Sequence, residues 1–336
     1  QQLADDGLAN DTVVFFWGDH GRGLPRAKRW TYDSGIHVPL IVRWPGKLAS
    51  GSVREDLVAL LDLGPTVLTL AQITPPSHMQ GRPMFDSQAR PPSKPRDYVY
   101  AARDRMDEAY DVIRAVRGVR FKYIRNYQPE TPYSQPISYM DEMPTMREWR
   151  RLAAAGQLVG PQRLFFQPTK PLEELYDTDV DPHEINNLAD DPTHRATLER
   201  MRAAHEAWMR DTRDLGLVSE SELNERARPG GQWAVTATPA IRIAGGKATL
   251  TCETPGASIA WTFDDEQGGK SNGKSSANSG KNGSKGGKKG DETNVKANSI
   301  RWQLYTGPFD VPPGRESSLR AVACRLGYRD SREARP

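Results

Sequence analysis

The sequence predicts an α/β unit over residues 1–216, a linker over 217–235 and an all-β unit over 236–336. Short apolar runs rich in β-branched and aromatic residues occupy 12–17 and 37–44, and a long amphipathic stretch covers 193–216. After residue 236 the pattern changes to short alternating stretches separated by turn residues. The runs and the amphipathic stretch are typical of α/β proteins, and the alternation is typical of a β-sandwich.

The elements of the first unit follow from its apolar periodicity. The runs "TVVFFW" and "HVPLIVRW" are nearly all apolar, so we expect strands that are covered on both faces. Residues 54–73 have helical spacing, and Pro65 after Gly64 predicts two short helices because proline disrupts an interior turn. "DYVYAA" and "VRFKYIRNY" alternate as antiparallel strands do. Residues 193–216 form a single apolar stripe, which predicts a long helix that ends at Gly216.

The second unit contains a stretch of different composition. Residues 266–299 hold no aromatic residue and Val295 as their one large aliphatic residue. Such a segment cannot bury enough apolar surface to offset its ordering entropy. We therefore expect a disordered insertion between strands of the β-sandwich.

Composition excludes several classes of protein. The chain has 46 basic and 43 acidic residues and a formal net charge of +3, which is too small an excess for a typical nucleic-acid binder. Its apolar runs are far shorter than the roughly 20 residues that cross a bilayer. The first twelve residues lack the charged-then-apolar order of a signal peptide and are typical of a chain that begins inside a domain. The sequence gives no indication of an oligomeric state.

Polar residues follow the first apolar run at the point where the strand should end. Asp19 and His20 come directly after it, and a carboxylate with an imidazole can hold a divalent cation. Alternatively, Asp19 caps a turn and His20 is an ordinary loop residue. Four cations follow within nine residues of this pair: Arg22, Arg26, Lys28 and Arg29. A bound anion beside a metal ion accounts for such a density better than surface solubility does.

These residues resemble the sulfatases of the alkaline-phosphatase superfamily. In that family a strand leads into S-D-[NH]-G, and K-x-x-x-Y-[ED]-x-x-x-[RH]-V-P-L-I follows. Here the matching residues are Asp19, His20, Gly21, Lys28, Tyr32, Asp33, His37 and Val38–Ile41. Four later stretches match family motifs in the family's order: "LVALLDLGPTVLTLAQI", "MQGRP", "RAVRGVRFKYIRN" and "EELYDTDVDPHEINNLA". The resemblance covers residues 1–215 and implies an alkaline-phosphatase-like sulfatase sheet.

The resemblance also implies roles for individual residues. Asp19 and His20 become metal ligands, for calcium in the first place, although an imidazole also suits manganese or zinc. Lys28 becomes the catalytic residue that binds a sulfate oxygen. Further candidates for contact with a sulfated carbohydrate substrate are Arg22, Arg26, Arg29, His37 and Arg105. The stretch "DTDVDPHE" lacks EF-hand spacing, so we expect a structural turn there.

The family's nucleophile is a formylglycine made from a cysteine in C-x-[PA]-x-R, and this chain has no such motif around Cys252 or Cys324. We therefore expect the chain to be the C-terminal portion of a sulfatase that is inactive alone, with the nucleophile and a signal peptide upstream. The resemblance implies a periplasmic or secreted enzyme. Two alternatives stay open: a metal-dependent phosphodiesterase or phosphonate hydrolase of the same superfamily, and a non-catalytic carbohydrate-associated protein.

The second unit resembles the C-terminal module of chitobiase and β-hexosaminidase, which is an Ig-like β-sandwich. The matching stretches run from Thr254 to Asp264, from Tyr305 to Phe309 and from Leu319 to Ser331. Such a module implies either a spacer or a glycan-binding domain. Cys252 and Cys324 fall on predicted strands, where they form either two free thiols or one disulfide between the sheets.

Overall fold

The computed structural model describes residues 1–264 and 301–336, and the predicted insertion at 266–299 lies outside the described residues. The chain divides into two compact units, Gln1–Leu217 and Val218–Pro336. No helix within the described part of the chain is long and apolar enough to cross a membrane.

The first unit combines short helices with antiparallel strands. Its helices are α1 (Gln2–Asp5), α2 (Asp33–Ile36), α3 (Leu63–Leu70), α4 (Ser138–Asp141), α5 (Pro144–Ala154) and α6 (Arg195–Thr212). Its strands are β1 (Val14–Trp17), β2 (Leu40–Arg43), β3 (Val99–Arg103), β4 (Ile113–Arg117), β5 (Phe121–Asn126) and β6 (Glu173–Asp177). The predicted antiparallel strands are thus β3 and β5.

A four-stranded antiparallel sheet in the order β3-β4-β5-β6 organises this unit. Side chains alternate between its faces, so neighbouring residues of one strand enter different apolar clusters. Ile124 packs with Trp30, Tyr32 and other aromatic residues on one face. Tyr123 packs on the other face with Met201 of α6 and with side chains of β4 and β6. The loop that precedes α2 therefore packs against one face of the sheet, and the long helix α6 packs against the other.

The two apolar runs near the N-terminus pair differently from the prediction. β1 and β2 form an antiparallel two-stranded ribbon, with Phe16 opposite Ile41. Both side chains are about 60% exposed, and Trp17 is also exposed. The prediction that these strands are covered on both faces is therefore wrong for the described residues. The physical reason is that a two-stranded ribbon buries side chains only where another layer packs against it.

Two helix boundaries differ from the prediction, the break before α3 and the end of α6. In residues 54–73 a 3₁₀ turn at Leu60–Asp62 leads directly into α3, so the break precedes Pro65. Pro65 lies in the first turn of α3, where its missing N–H costs no helical hydrogen bond. The long helix α6 ends at Thr212, and the residue that caps it, Arg213, adopts a left-handed conformation with φ 52°. Gly216 serves a different purpose, because a Cβ atom there would lie 1.8 Å from a guanidinium nitrogen of Arg114.

The second unit begins with a helix inside the range predicted as a linker. This helix is α7 (Glu220–Ala227), and the Ser219 side chain caps it by accepting a hydrogen bond from the Glu222 N–H. The strands that follow are β7 (Ala240–Ala244), β8 (Lys247–Thr251), β9 (Ser258–Phe263), β10 (Gln303–Leu304), β11 (Phe309–Asp310) and β12 (Leu319–Cys324).

These strands form two antiparallel sheets with the orders β10-β9-β12 and β11-β8-β7. Ala248 and Leu250 of β8 and Phe263 and Leu319 of the other sheet lie in shared apolar clusters. The inner faces of the two sheets therefore pack against each other.

Cys252 and Cys324 are both free thiols. The Cys252 Sγ atom donates a hydrogen bond to the Ala237 carbonyl oxygen at 3.2 Å, so this thiol is engaged locally. Cys324 ends β12 opposite Ser258 of β9. Of the two alternatives for these cysteines, the structure contains the pair of thiols and not the disulfide.

His205 is a buried titratable group on α6, with 2% of its surface exposed. Its ring lies 5.7 Å from the Tyr123 ring and 5.9 Å from the Tyr127 ring, measured between centroids. Burial lowers the pKa of the His205 imidazole to about 4, and the charge of Arg125 acts in the same direction. The unfolded chain therefore binds a proton at mildly acidic pH that the folded chain does not bind.

We predict that the free energy of unfolding falls as pH decreases from about 6.5, the ordinary histidine value, to 4. Replacing His205 by Gln removes this proton uptake, so the variant should show a flatter dependence over that window. Urea unfolding at several pH values measures the effect. His37→Gln, which changes an exposed histidine, is the matched control. Equal pH dependence in wild type and His205→Gln would contradict the assignment.

Candidate active site

The loop that follows β1 carries the predicted metal ligands at its start. His20 Nε2 lies 3.4 Å from Asp19 Oδ2, and His20 Nδ1 lies 2.7 Å from the Gly21 carbonyl oxygen. A carbonyl oxygen only accepts hydrogen bonds, so Nδ1 carries a proton, and in the neutral ring Nε2 presents its lone pair towards Asp19. A carboxylate oxygen and an imidazole lone pair this close can serve as two ligands of one divalent cation.

Exposure and donor number limit what this pair can do. The Asp19 side chain is 82% exposed and the His20 side chain 37% exposed, so both are accessible to an ion. No group of three or more His, Cys, Asp or Glu side chains within residues 1–264 and 301–336 is arranged to hold a metal ion. The pair therefore fits part of a metal site, and a calcium ion needs six to eight oxygen ligands in total.

Two glycines let the loop close tightly on itself. The Gly21 N–H donates a hydrogen bond to the Gly35 carbonyl oxygen at 2.8 Å. A Cβ atom on Gly21 would lie 1.9 Å from the Ser34 carbonyl oxygen, and one on Gly35 would lie 2.2 Å from the Ala27 carbonyl oxygen. Any larger residue at either position would push the two ends of the loop apart.

Lys28 lies within this closed loop. Its N–H donates to the Arg22 carbonyl oxygen at 3.0 Å, which holds its backbone beside a residue only two positions after His20. Its ammonium group lies 5.0 Å from the centroid of the Tyr139 ring. No carboxylate of the described residues forms an ion pair with Lys28, so its charge remains available to an anion.

Buried Glu174 of β6 anchors the end of the loop. The Tyr32 hydroxyl donates to this carboxylate at 2.8 Å. Tyr133, Tyr176 and Asn126 donate to it at 2.5, 2.6 and 2.6 Å. Burial and the neighbouring Glu174 charge raise the pKa of the Tyr32 hydroxyl well above its usual value, so it stays a donor. These four hydrogen bonds satisfy the buried carboxylate, and one of them fixes Tyr32, four residues after Lys28.

A buried ion cluster holds Asp33, the residue that follows Tyr32. The Lys122 ammonium is fully buried and lies 2.5 Å from Asp33 and 2.7 Å from Glu184. Burial opposes ionisation of Asp33, yet Lys122 and Arg117 hold the pKa of this carboxyl below its usual value. Burial raises the pKa of Glu184 despite the same lysine. Tyr32 and Asp33 therefore connect the loop to the sheet.

The remaining predicted residues divide into two groups. Arg26 donates to the His183 and Glu184 carbonyl oxygens at 2.9 and 2.6 Å, and its guanidinium lies 3.7 Å from the Tyr32 ring centroid. Arg29 forms an ion pair with Asp107 and lies 4.7 Å from the Tyr139 ring centroid. Both arginines are therefore held by contacts within the protein, and the substrate role predicted for them stays a prediction.

Arg22 and His37, in contrast, are exposed. Arg105 contacts the Tyr110 ring at 4.9 Å. The role of these three residues in binding substrate stays a prediction.

Sequence reasoning did not assign roles to Tyr139 or Glu174. Tyr139 lies 111 positions after Lys28 on a four-residue helix, and no local pattern connects the two. Glu174 belongs to the family motif that begins "EELYD", and this position was the one sequence feature that could have indicated its importance. Its partners become visible only when the tyrosines are brought together in space.

Comparison with known proteins finds relatives of this chain. Residues 18–135 match the family described as N-sulphoglucosamine sulphohydrolase, C-terminal. An ulvan-active sulfatase of Formosa agariphila is 38% identical over 333 residues, which cover 99% of this chain and 50% of that protein. Human N-sulphoglucosamine sulphohydrolase is 29% identical over 245 residues, which cover 68% of this chain and 48% of that protein.

Among solved structures, a 2-O GAG sulfatase aligns with a TM-score of 0.45 and 24% identity over 61% of this chain and 38% of that one. The chain spans about half the length of the first two relatives. The match over residues 18–135 and the relationship to named sulfatases along nearly the whole chain support the sulfatase family, as the motifs around Lys28 predict.

Proposed function

We propose that this chain is part of a sulfatase that hydrolyses sulfuric esters of carbohydrates. The observation that carries the proposal is the closed loop, in which Lys28 has no carboxylate partner among the described residues and Asp19 and His20 present adjacent donors. A relative named as ulvan-active and another named as an N-sulphoglucosamine sulphohydrolase support a sulfated carbohydrate as substrate.

Each of these residues has a distinct role in the proposed reaction. The Lys28 ammonium binds a sulfate oxygen and stabilises the negative charge that develops on the leaving-group oxygen as the ester bond breaks. Asp19 and His20 supply two ligands of a divalent cation, calcium in the first place, with manganese and zinc as alternatives because of the imidazole. When bound, such an ion acts as a Lewis acid on the sulfate group.

We infer that the nucleophile and further metal ligands come from outside this chain. The family resemblance assigns the nucleophile to a formylglycine, whose motif is absent here. The apolar surface of β1 and β2 supports the inference, since Phe16, Trp17 and Ile41 are exposed and suit a further layer of the same domain. The chain alone should therefore not hydrolyse sulfate esters.

The second unit supports a spacer role in this proposal. Its two packed antiparallel sheets agree with the Ig-like sandwich implied by the resemblance to the chitobiase module. Trp261 is partly buried and stacks on Phe309 with ring centroids 3.7 Å apart, and this packing within the unit favours the spacer role. We also expect a periplasmic or secreted enzyme, since a polymeric carbohydrate is degraded outside the cytoplasm.

The first test removes the proposed anion-binding charge. In the full-length protein that contains this chain, Lys28→Ala should lower kcat/KM for 4-nitrophenyl sulfate by about 100- to 1,000-fold, the usual loss for one oxyanion contact. The matched control is Lys47→Ala, which removes an exposed lysine of another loop and should keep full activity.

Wild-type activity of Lys28→Ala would contradict the assigned role. The same assay distinguishes the alternative functions of the full-length protein. Faster turnover of a bis-aryl phosphodiester or of a phosphonate ester than of the sulfate would indicate the phosphodiesterase or phosphonate hydrolase. Turnover of none of these esters would indicate the non-catalytic carbohydrate-associated protein.

The second test addresses the metal ligands. Asp19→Ala should weaken calcium affinity at least about tenfold, because even outer contacts of a metal site are worth that much. Isothermal titration of the metal-depleted full-length protein with calcium, and then with manganese and zinc, measures the loss. Asp11→Ala changes an exposed acid earlier in the chain and serves as the control. Unchanged affinity of Asp19→Ala for all three ions would show that Asp19 caps the turn and binds no metal.

A further inference from the structure

A cleft in the first unit lies apart in sequence from the loop of Lys28. Its volume is about 490 Å³, and its walls come from residues 59–61, 80–82 and 94–100 and from α6. A smaller hollow of about 190 Å³ shares Arg82, Lys94 and Arg96 with it. Clefts of several hundred cubic ångströms are the size at which proteins bind small molecules and single sugar units.

The wall shared by the two hollows is positively charged. Arg82 and Lys94 are exposed, and neither forms an ion pair within the described residues. Arg96 also lines the cleft and is held at 2.8 Å by buried Asp62. Asp97 is the one acid on the wall of the larger cleft. The cleft therefore has a net positive charge and two cations free to bind an anion.

The base of this wall is fixed. Asp62 is fully buried, and its carboxylate accepts hydrogen bonds from the Ala59 N–H and the Arg82 N–H, each at 2.8 Å. With the Arg96 ion pair, one carboxylate joins three separate segments of backbone. The cleft is thus held in shape before any ligand arrives, which reduces the entropy lost on binding.

Another part of the cleft lining is aromatic. The rings of Tyr100 on β3 and Trp208 on α6 stack with centroids 4.9 Å apart and an angle of 6° between their planes. Both rings line the cleft and are half-buried. Burial raises the pKa of Tyr100, and the charge of Arg82, which lines the same cleft, partly offsets that rise. An apolar wall therefore stands beside a cationic one.

We propose that this cleft binds an anionic saccharide, with the sugar ring against Tyr100 and Trp208 and its acidic substituent on Arg82 and Lys94. The C–H face of a sugar ring packs on aromatic surface, and guanidinium groups bind planar or tetrahedral oxyanions through paired hydrogen bonds. The choice of a sulfate ester as the acidic substituent rests on the proposed function. The site would hold a second part of a polymeric substrate while another part is hydrolysed.

The test measures binding of dextran sulfate oligosaccharides by the full-length protein that contains this chain, with uncharged dextran oligosaccharides of the same length as the comparison probe. Arg82→Gln/Lys94→Gln should weaken binding about tenfold or more and lower the number of released counterions by about two. The matched control is Arg195→Gln/Arg200→Gln, which removes the same charge from exposed positions of α6. Trp208→Leu should weaken binding without changing the salt dependence.

The outcomes separate the cleft from simple charge attraction. Equal weakening by the control pair, or equal binding of Arg82→Gln/Lys94→Gln and wild type, would overturn the proposal. If Trp208→Leu does not fold, as judged by circular dichroism, the paired charge variants decide the result alone. Binding is measured without turnover, so the proposed hydrolysis could fail in the full-length protein while this site is confirmed.

Discussion

The buried contact between Lys122, Asp33 and Glu184 joins the elements on which the candidate active site depends. The ammonium comes from β5, one carboxylate from the first residue of α2 and the other from the turn after β6. Breaking a buried ion pair by removing one partner typically costs roughly 3–5 kcal/mol, because the remaining charge stays uncompensated. A change in any one of these three residues therefore affects the sheet and the loop together.

A second constraint acts beside the first. Glu174 is saturated by phenol and amide donors, and Tyr32 brings one of those phenols from the loop itself. Arg26 adds a third connection by donating to the carbonyl oxygens at 183 and 184. The backbone around Lys28 is thus tied to the sheet by a carboxylate, an ion cluster and a guanidinium. Such preorganisation is what electrostatic stabilisation of a transition state requires.

Much of this arrangement was predictable from local patterns. The apolar stripe of 193–216 predicted α6, the alternating stretches predicted β3 and β5, and the motif spacing identified the loop from Asp19 to Ile41. The hydrogen bonds of the Arg26 guanidinium were not predictable, because the carbonyl oxygens that accept them lie 157 and 158 positions further along the chain. A run of cations indicates an anion site on sequence grounds, although some of its members instead bind carbonyl oxygens and rings of the protein.

The exposure of β1 and β2 shows a second limit of pattern reasoning. An apolar pattern indicates that a strand is suited to burial, but it does not indicate which segment of the protein covers that strand. Phe16 and Ile41 have the composition of interior residues, and within the described residues they lie on the surface. Pro65 illustrates a related point, since its effect depends on whether it falls in the first turn of a helix or later.

The phenols around Glu174 also provide an intrinsic optical signal. Burial and the adjacent carboxylate raise the pKa values of Tyr32, Tyr133 and Tyr176, so these hydroxyls resist ionisation while the cluster is closed. Phenolate absorbs at longer wavelength than phenol. An alkaline titration would therefore show a late rise in absorbance from these three phenols as the cluster around Glu174 opens.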